Sequence, residues 1–128
     1  MYFSVLGDSV SLYAQYIKER ENKDIVETDE GFATYQIYGD ECYIADIYVI
    51  PGARKTGLAS QLANQIKGLA KSSGCKILTG SVCLDANNAV ASMNVLYAYG
   101  MKVHSIKGNM IYFSVIIVTG KQIGRAHV

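Results

Sequence analysis

Between Val49 and Ala59 the sequence reads VIPGARKTGLA. An apolar run breaks at Pro51-Gly52, two adjacent cations follow at Arg54 and Lys55, and Gly57-Leu58-Ala59 re-enters a helical pattern. The chemistry such a corner offers is anion binding. The first amides of a helix have no partner inside it, and the helix dipole puts partial positive charge at that end. A glycine there lets a phosphate approach the backbone closely. Arg54 and Lys55 add charge that an anion would use. The alternative is a plain strand-to-helix turn whose cations stay in water, and the string alone leaves both open. It is neither a Walker A loop, because Gly-Lys-Ser/Thr is missing, nor a Gly-x-Gly-x-x-Gly fingerprint, because Gly52 and Gly57 are wrongly spaced.

The elements that must position this corner follow from periodicity. Ser9 to about Glu21 carries Val10, Tyr13, Tyr16 and Ile17 at helical spacing, with Asp8 or Ser9 as N-cap. Strands are expected at Asp24–Thr28, Phe32–Tyr38 and Cys42–Ile50, with turn residues Asp29-Glu30-Gly31 and Gly39-Asp40 between them. After the corner comes a helix from about Thr56 to Ser72, with Leu58, Leu62, Ile66, Leu69 and Ala70 as its apolar stripe. Lys76–Leu84 reads as a strand and Ala89 to about Tyr99 as a helix stopped by Gly100. Met101–Ile106 and Met110–Val118 form a closing hairpin, and a weak strand at Tyr2–Val5 opens the chain. Strand–helix–strand over 42–84 predicts a parallel crossover inside an otherwise antiparallel arrangement. The fold class is therefore α/β or α+β with a mixed sheet. Residues 1–119 form one domain and 120–128 a loose polar tail.

Composition narrows the classes. The chain has 128 residues, half of them hydrophobic, enough for one core. Twelve Lys+Arg against 11 Asp+Glu leave a net charge of +1, which argues against general nucleic-acid or anionic-membrane binding. Cys42, Cys75 and Cys83 are an odd number without paired spacing, so small buried thiols in a reducing cytoplasm are expected. The N-terminus lacks the basic region of a secretory signal, and no apolar run is long enough for a bilayer. His104 and His127 have no ligand partners at metal spacing, so no metal site is expected. His104 is read as a surface histidine, with the lining of a substrate pocket as the alternative.

With its strand before and helix after, the corner resembles the acetyl-CoA-binding motif of the GNAT superfamily of N-acetyltransferases, [Arg/Gln]-x-x-Gly-x-[Gly/Ala]. The match is IADIYVIP followed by Arg54-Lys55-Thr56-Gly57-Leu58-Ala59. Downstream, Asn88, Ala91 and LYAYGM resemble that family's Asn-x-x-Ala…Leu-Tyr…Gly-Phe helix. The element order is that of a compact GNAT domain, so the resemblance covers nearly the whole chain. It implies acetyl-CoA as cofactor and an amine acceptor as partner. Amides from Lys55 to Ala59 (Lys55, Thr56, Gly57, Leu58, Ala59), with Arg54, would hold the pyrophosphate. The backbone of Ile47 and Val49 would meet the pantetheine arm where the strands at 42–50 and 76–84 splay apart. Asn88 would reach the pantetheine or thioester end, a role compatible with a helix N-cap.

Acetyl transfer needs a neutral amine, and an amine with pKa near 10.4 is only about one part in 2500 neutral at pH 7. A nearby base removes that handicap, and an acid such as tyrosine can protonate the leaving thiolate. By the resemblance the tyrosine lies four residues before the glycine that ends the last helix. Leu96 stands there, and counting from Asn88 gives Val95. Tyr97 is the candidate beside that position, and Tyr99 is the second. For the base, regular alternation along 42–50 puts Glu41, Tyr43, Ala45 and Ile47 on one face and Asp46, Tyr48 and Ile50 on the other. The resemblance favours a carboxylate near Tyr43, and Glu41 is the nearest on that face; for it and for Asp46 the alternative is a solvated strand-edge carboxylate. Asp46 lies closer to the corner but points away unless the strand carries a bulge.

The leading reading is an acetyl-CoA-dependent N-acetyltransferase working by direct transfer to a primary amine. The rival is a non-catalytic CoA-binding or protein-interaction domain of the same fold. Asp24, Glu27, Asp29 and Glu30 form a mild acidic cluster that would attract a cationic amine or simply sit in solvated turns. The apolar strand at 110–118 offers a sheet edge for a homodimer.

Overall fold

The computed structural model describes residues 11–117. The strand expected at Tyr2–Val5, the helix start at Asp8–Val10, the tail and His127 lie outside them. Helix α1 (Leu12–Glu21) is followed by strands β1 (Asp24–Glu27), β2 (Gly31–Tyr38) and β3 (Glu41–Val49). Then come α2 (Leu58–Ser72), β4 (Ile77–Cys83), α3 (Ala89–Tyr99), β5 (Lys102–Lys107) and β6 (Met110–Ile116). Six strands make one sheet in the order β1-β2-β3-β4-β6-β5. Every neighbouring pair is antiparallel except β3–β4, which α2 joins as a parallel crossover. This is the mixed α+β sheet the periodicity predicts.

The ends of the elements have local causes. Ser11 caps α1, its hydroxyl accepting the Ala14 N–H at 2.9 Å, in place of the Asp8 or Ser9 expected. Asn22 closes that helix in the left-handed region, with φ 55°. Gly100 does the same for α3 at φ 105°, a conformation that costs a Cβ-bearing residue. Lys76 N–H donates to the Asp40 carbonyl at 2.6 Å, tying the start of β4 to the β2–β3 turn.

One face of the sheet carries the core. Cys42 and Ile44 of β3 pair with Leu78 and Gly80 of β4, which in turn pair with Val115 and Phe113 of β6. Over this face lie Leu62, Ala63, Ile66 and Ala70 of α2 and Leu96 of α3, all buried. Leu69, expected in the α2 stripe, is 44% exposed, and Ala63 takes its place. The buried stripe runs 62, 63, 66, 70, and Leu69 falls on its flank. Of the described residues expected to anchor α1, only Ile17 is buried; Tyr13 and Tyr16 are about half exposed, and Val10 lies outside the described residues.

The expected dimer edge is corrected by the topology. β6 is not an edge strand, because β5 folds back onto its free side. The edges of the described sheet are β1 and β5.

Candidate active site

The parallel ladder between β3 and β4 is short. It runs through four rungs, from Glu41↔Ile77 to Ile44↔Gly80, and stops. Both strands continue, β3 to Val49 and β4 to Cys83, so the sheet opens into a wedge beyond Ile44. The other edge of β3 stays paired with β2 all the way to Gly31↔Val49. The wedge therefore exposes a backbone edge of β3 without loosening the strand. That is the splay expected beside Ile47 and Val49.

A β-bulge lies at the mouth of the wedge. Tyr35 pairs with Ile44 while its neighbour Thr34 pairs with Asp46, so Ala45 is the extra residue. The bulge inverts the alternation of everything after it. Ile47 and Val49 turn to the core face with Cys42 and Ile44. Asp46 turns to the opposite face, the one that carries Glu41 and Tyr43. Regular alternation had set Asp46 apart from Glu41 and Tyr43 and had placed Ile47 with them; both placements are corrected. Thr34 Oγ1 donates to Asp46 Oδ2 at 2.6 Å, and Lys23 Nζ lies 3.5 Å from the same oxygen. Lys23 also reaches Glu21 at 3.0 Å; that hydrogen bond is the main cause of its raised pKa, opposed by burial and supported by the charges of Asp46 and Glu21.

Glu41 sits at the closed end of the ladder, three rungs before the split, where Thr79 Oγ1 donates to it at 2.8 Å. Of the two carboxylate candidates, Asp46 is the one at the wedge. Between them, Tyr43 Oη and Ser81 Oγ meet at 2.6 Å across the base of the split. The sequence shows Thr79 and Ser81 alternating with Leu78, Gly80 and Val82, so a polar face on β4 was legible there. Which β3 residue meets Ser81 depends on strand register, which no local pattern carries.

At the far end of the wedge stands the basic corner. Pro51–Ala53 form a single 3-10 turn, and Thr56 Oγ1 closes the next turn on the Ala53 carbonyl at 2.6 Å. Lys55 and Gly57 both have positive φ, 65° and 90°. The first helical hydrogen bond is Gln61 N–H to Gly57 O, so the amides of Leu58, Ala59 and Ser60 precede the internal ladder of α2. A Cβ built on Gly57 would meet no described residue within 4 Å beyond its chain neighbours, so the space beside Gly57 is open among them. The helix starts at Leu58, so Thr56 belongs to the turn and not to the helix as expected. Arg54 is not a freely solvated cation. Its Nε donates to the Val49 carbonyl at 2.8 Å and its guanidinium lies 5.7 Å from the Tyr48 ring centre. One backbone acceptor expected to meet the pantetheine arm, Val49 O, is thus already engaged.

Helix α3 crosses the core side of the split. A Cβ on Gly80 would touch Leu96 Cδ2 at 3.8 Å and the Ile44 carbonyl at 3.9 Å, which puts Leu96 over the last rung. Tyr97 lies one residue around the helix, edge-on to Phe113 of β6 with centroids 5.3 Å apart, and is 52% exposed. Tyr99 donates its hydroxyl to Asn64 Oδ1 at 2.9 Å, pinning α3 to α2, and burial raises its pKa. Asn88 holds the N-cap position through its carbonyl, which accepts Ser92 N–H at 2.9 Å, but its side chain makes no capping bond.

The remaining candidates fall away from the wedge. His104 is the exposed extra residue of a second bulge on β5, two strands beyond β4. Burial pushes the Cys42 thiol up to about 12 and raises Cys75, the behaviour of small core residues and not of nucleophiles. No cluster of three or more His, Cys, Asp or Glu that could hold a metal occurs among the described residues. Among them, too, no helix is long and apolar enough to cross a membrane. In the acidic cluster, Asp24 pairs with Lys18 at 3.2 Å and Glu27 accepts the Ser11 hydroxyl.

Comparison with known proteins gives the wedge a family. No curated protein matches the sequence significantly. Solved structures do match. An acetyltransferase assigned to the GNAT family from Desulfovibrio desulfuricans superposes with a TM-score of 0.68 at 13% identity, over 81% of this chain and 78% of that one. The ribosomal-protein-S18-alanine N-acetyltransferase of Escherichia coli gives 0.64 at 20% identity, over 88% and 81%. A Bacillus subtilis acetyltransferase in complex with CoA gives 0.63 at 14% identity, over 81% and 84%. At these identities the superpositions speak for the fold. The family assignment comes from the sequence itself, since residues 11–94 match the profile of the acetyltransferase (GNAT) family. The match spans the split parallel pair and the glycine-opened helix that joins its strands, and the chain belongs to the GNAT family of acetyltransferases, enzymes whose cofactor is acetyl-CoA.

Proposed function

We propose that the protein transfers an acetyl group from acetyl-CoA directly to a primary amine, of a small molecule or a peptide, in a ternary complex. The observation that carries this reading is the end of the β3–β4 ladder at Ile44↔Gly80, with an anion-binding corner at one end of the opening and a carboxylate at the other. The pyrophosphate would rest on the amides from Lys55 to Ala59, with Arg54 alongside. A chain following β3 from Val49 to Ala45 covers about 13 Å at the usual rise. It brings a thioester to the bulge, past the backbone of Ile47 and Val49, with Asn88 on the α3 side.

Both helices over the middle of the sheet lie on the core side, so the acceptor enters from the opposite face. There Asp46 can take the proton that an ammonium must lose, directly or through water. Glu41 is the alternative base, set back at the closed end. On the core side Tyr97, whose hydroxyl has no hydrogen-bond partner among the described residues, would protonate the departing thiolate, whereas Tyr99 spends its own on Asn64.

A second reading has one observation in its favour. The family tyrosine position holds Leu96, buried over the split. A CoA-binding domain without turnover would tolerate that exchange. Thiol release from acetyl-CoA with lysine, spermidine, tyramine and a peptide with a free N-terminus separates the readings. Turnover with any amine supports the transferase, calorimetric CoA binding without release supports the silent domain, and no CoA binding refutes both.

A further inference from the structure

We propose that the Tyr43–Ser81 hydroxyl pair is an oxyanion-binding site, donating a hydrogen bond to the thioester carbonyl from the face of the sheet opposite α3. The inference rests on the acetyl-transfer reading and adds two residues that the family motifs do not mark.

Three observations place the pair. Tyr43 is on the last rung but one of the parallel ladder, and Ser81 is the first residue of β4 beyond it. Their oxygens, 2.6 Å apart and half-buried, bridge the two strands at the base of the wedge, where a chain laid along β3 from the corner ends. The Ala45 bulge turns Asp46 onto the same face, so the amine and the hydroxyls would approach the acyl carbon from one side.

The hydrogen count gives the pair its capacity. Two hydroxyls share one hydrogen bond, and each carries one hydrogen. One hydrogen lies between the oxygens, and the other is left for a third acceptor. Whichever residue is outermost, its O–H is polarised by the bond it accepts and donates more strongly. In the reaction the amine lone pair forms the C–N bond while the carbonyl π pair moves onto oxygen. The outer hydroxyl donates to that oxygen without giving up its proton. When the carbonyl re-forms, the C–S bond breaks and its electron pair leaves on sulfur. Asp46 takes the ammonium's first proton before attack; the second, shed by nitrogen as the amide forms, passes to water, and the thiolate takes one from Tyr97 or water, so atoms and charge balance. A preorganised donor of this kind acts where charge develops.

A purely structural role, pinning β3 to β4, is the competing explanation, so the test reads the carbonyl itself. Acetyl-CoA labelled with ¹³C at the thioester carbonyl is bound to the full chain and its stretch followed by isotope-edited infrared spectroscopy. The wild type is expected to shift the band below that of free acetyl-CoA. Tyr43→Phe and Ser81→Ala return it toward the free value with CoA affinity within about twofold, and Ser81→Thr, which keeps the hydroxyl, retains the shift. With any amine that turns over, Ser81→Ala or Tyr43→Phe lowers kcat by about 10²-fold, the usual loss on removing one such donor. An unshifted band in the wild type, or a shift that survives both variants, overturns the inference while leaving CoA binding and the transferase reading intact. Absence of CoA binding by the wild type removes both together.

Discussion

The two faces of the sheet around the split are built on opposite principles. On the core face, Ile44, Leu78, Gly80 and Phe113 meet Leu96 and the α2 stripe, and their positions follow from excluding water. On the other face, Thr34, Asp46, Tyr43, Ser81, Thr79 and Glu41 are joined by short hydrogen bonds: Thr34 to Asp46, Tyr43 to Ser81, Thr79 to Glu41. Both faces share the same backbone. A core face tolerates variation in identity provided volume is kept, whereas the polar face depends on single atoms within about 3 Å of each other. The difference suggests where to perturb. Changes on the polar face should alter chemistry without stability, and changes at the corner should alter cofactor binding without chemistry.

The largest effect is expected at the corner. Gly57→Val places a branched side chain in the space above the α2 amides and in a backbone region, φ 90°, that costs it roughly 1–2 kcal/mol. CoA binding by calorimetry should become undetectable while circular dichroism shows a folded protein. Unchanged affinity in a folded variant would remove the pyrophosphate from this corner.

Next in size is the base. Asp46→Asn should cut acetyl transfer by about 10²–10⁴-fold at neutral pH, the range for a positioned proton acceptor, with CoA affinity unchanged. Glu41→Gln, at the closed end, should stay within about threefold. A reversal of these two results would mean that the bulge does not deliver the carboxylate that matters, and the comparison of faces would have to be redrawn around Thr79 and Glu41.

Tyrosine variants on α3 test whether the core face contributes chemistry at all. Tyr97→Phe keeps the ring against Phe113, so stability should hold while turnover falls by about 10²-fold. Tyr99→Phe breaks the bond to Asn64 and should cost about 1 kcal/mol of stability, with turnover unaffected. Full activity in both variants would assign thiolate protonation to water, with proximity supplying the rate.

A smaller effect than those at Gly57, Asp46 and Tyr97 belongs to Arg54. Because its Nε is held by Val49 O, Arg54→Ala should weaken CoA binding by about tenfold at low salt, fading as ionic strength rises. Equal affinity at low salt would make Arg54 a support for Tyr48 and Val49 alone.

By itself the sequence determined the elements, their order and the corner. Periodicity locates each described α-helix and strand to within about three residues, the largest miss being the start of α1, because hydrophobic spacing is a local signal. Pro51, Gly57 and Gly100 punctuate the chain because their backbone needs are local too. The tertiary structure alone decided which side chains meet. The Ala45 bulge is invisible in ECYIADIYV, because it exists only as a mismatch between β3 and β2, and it reverses the face of Asp46. The hairpin of β5 and β6 is local, but β6 is interior only because its other side pairs with β4, a non-local event. The Tyr43–Ser81 bond joins residues 38 apart in the chain through a parallel register, and register is set by the packing of whole faces, not by any neighbour in sequence.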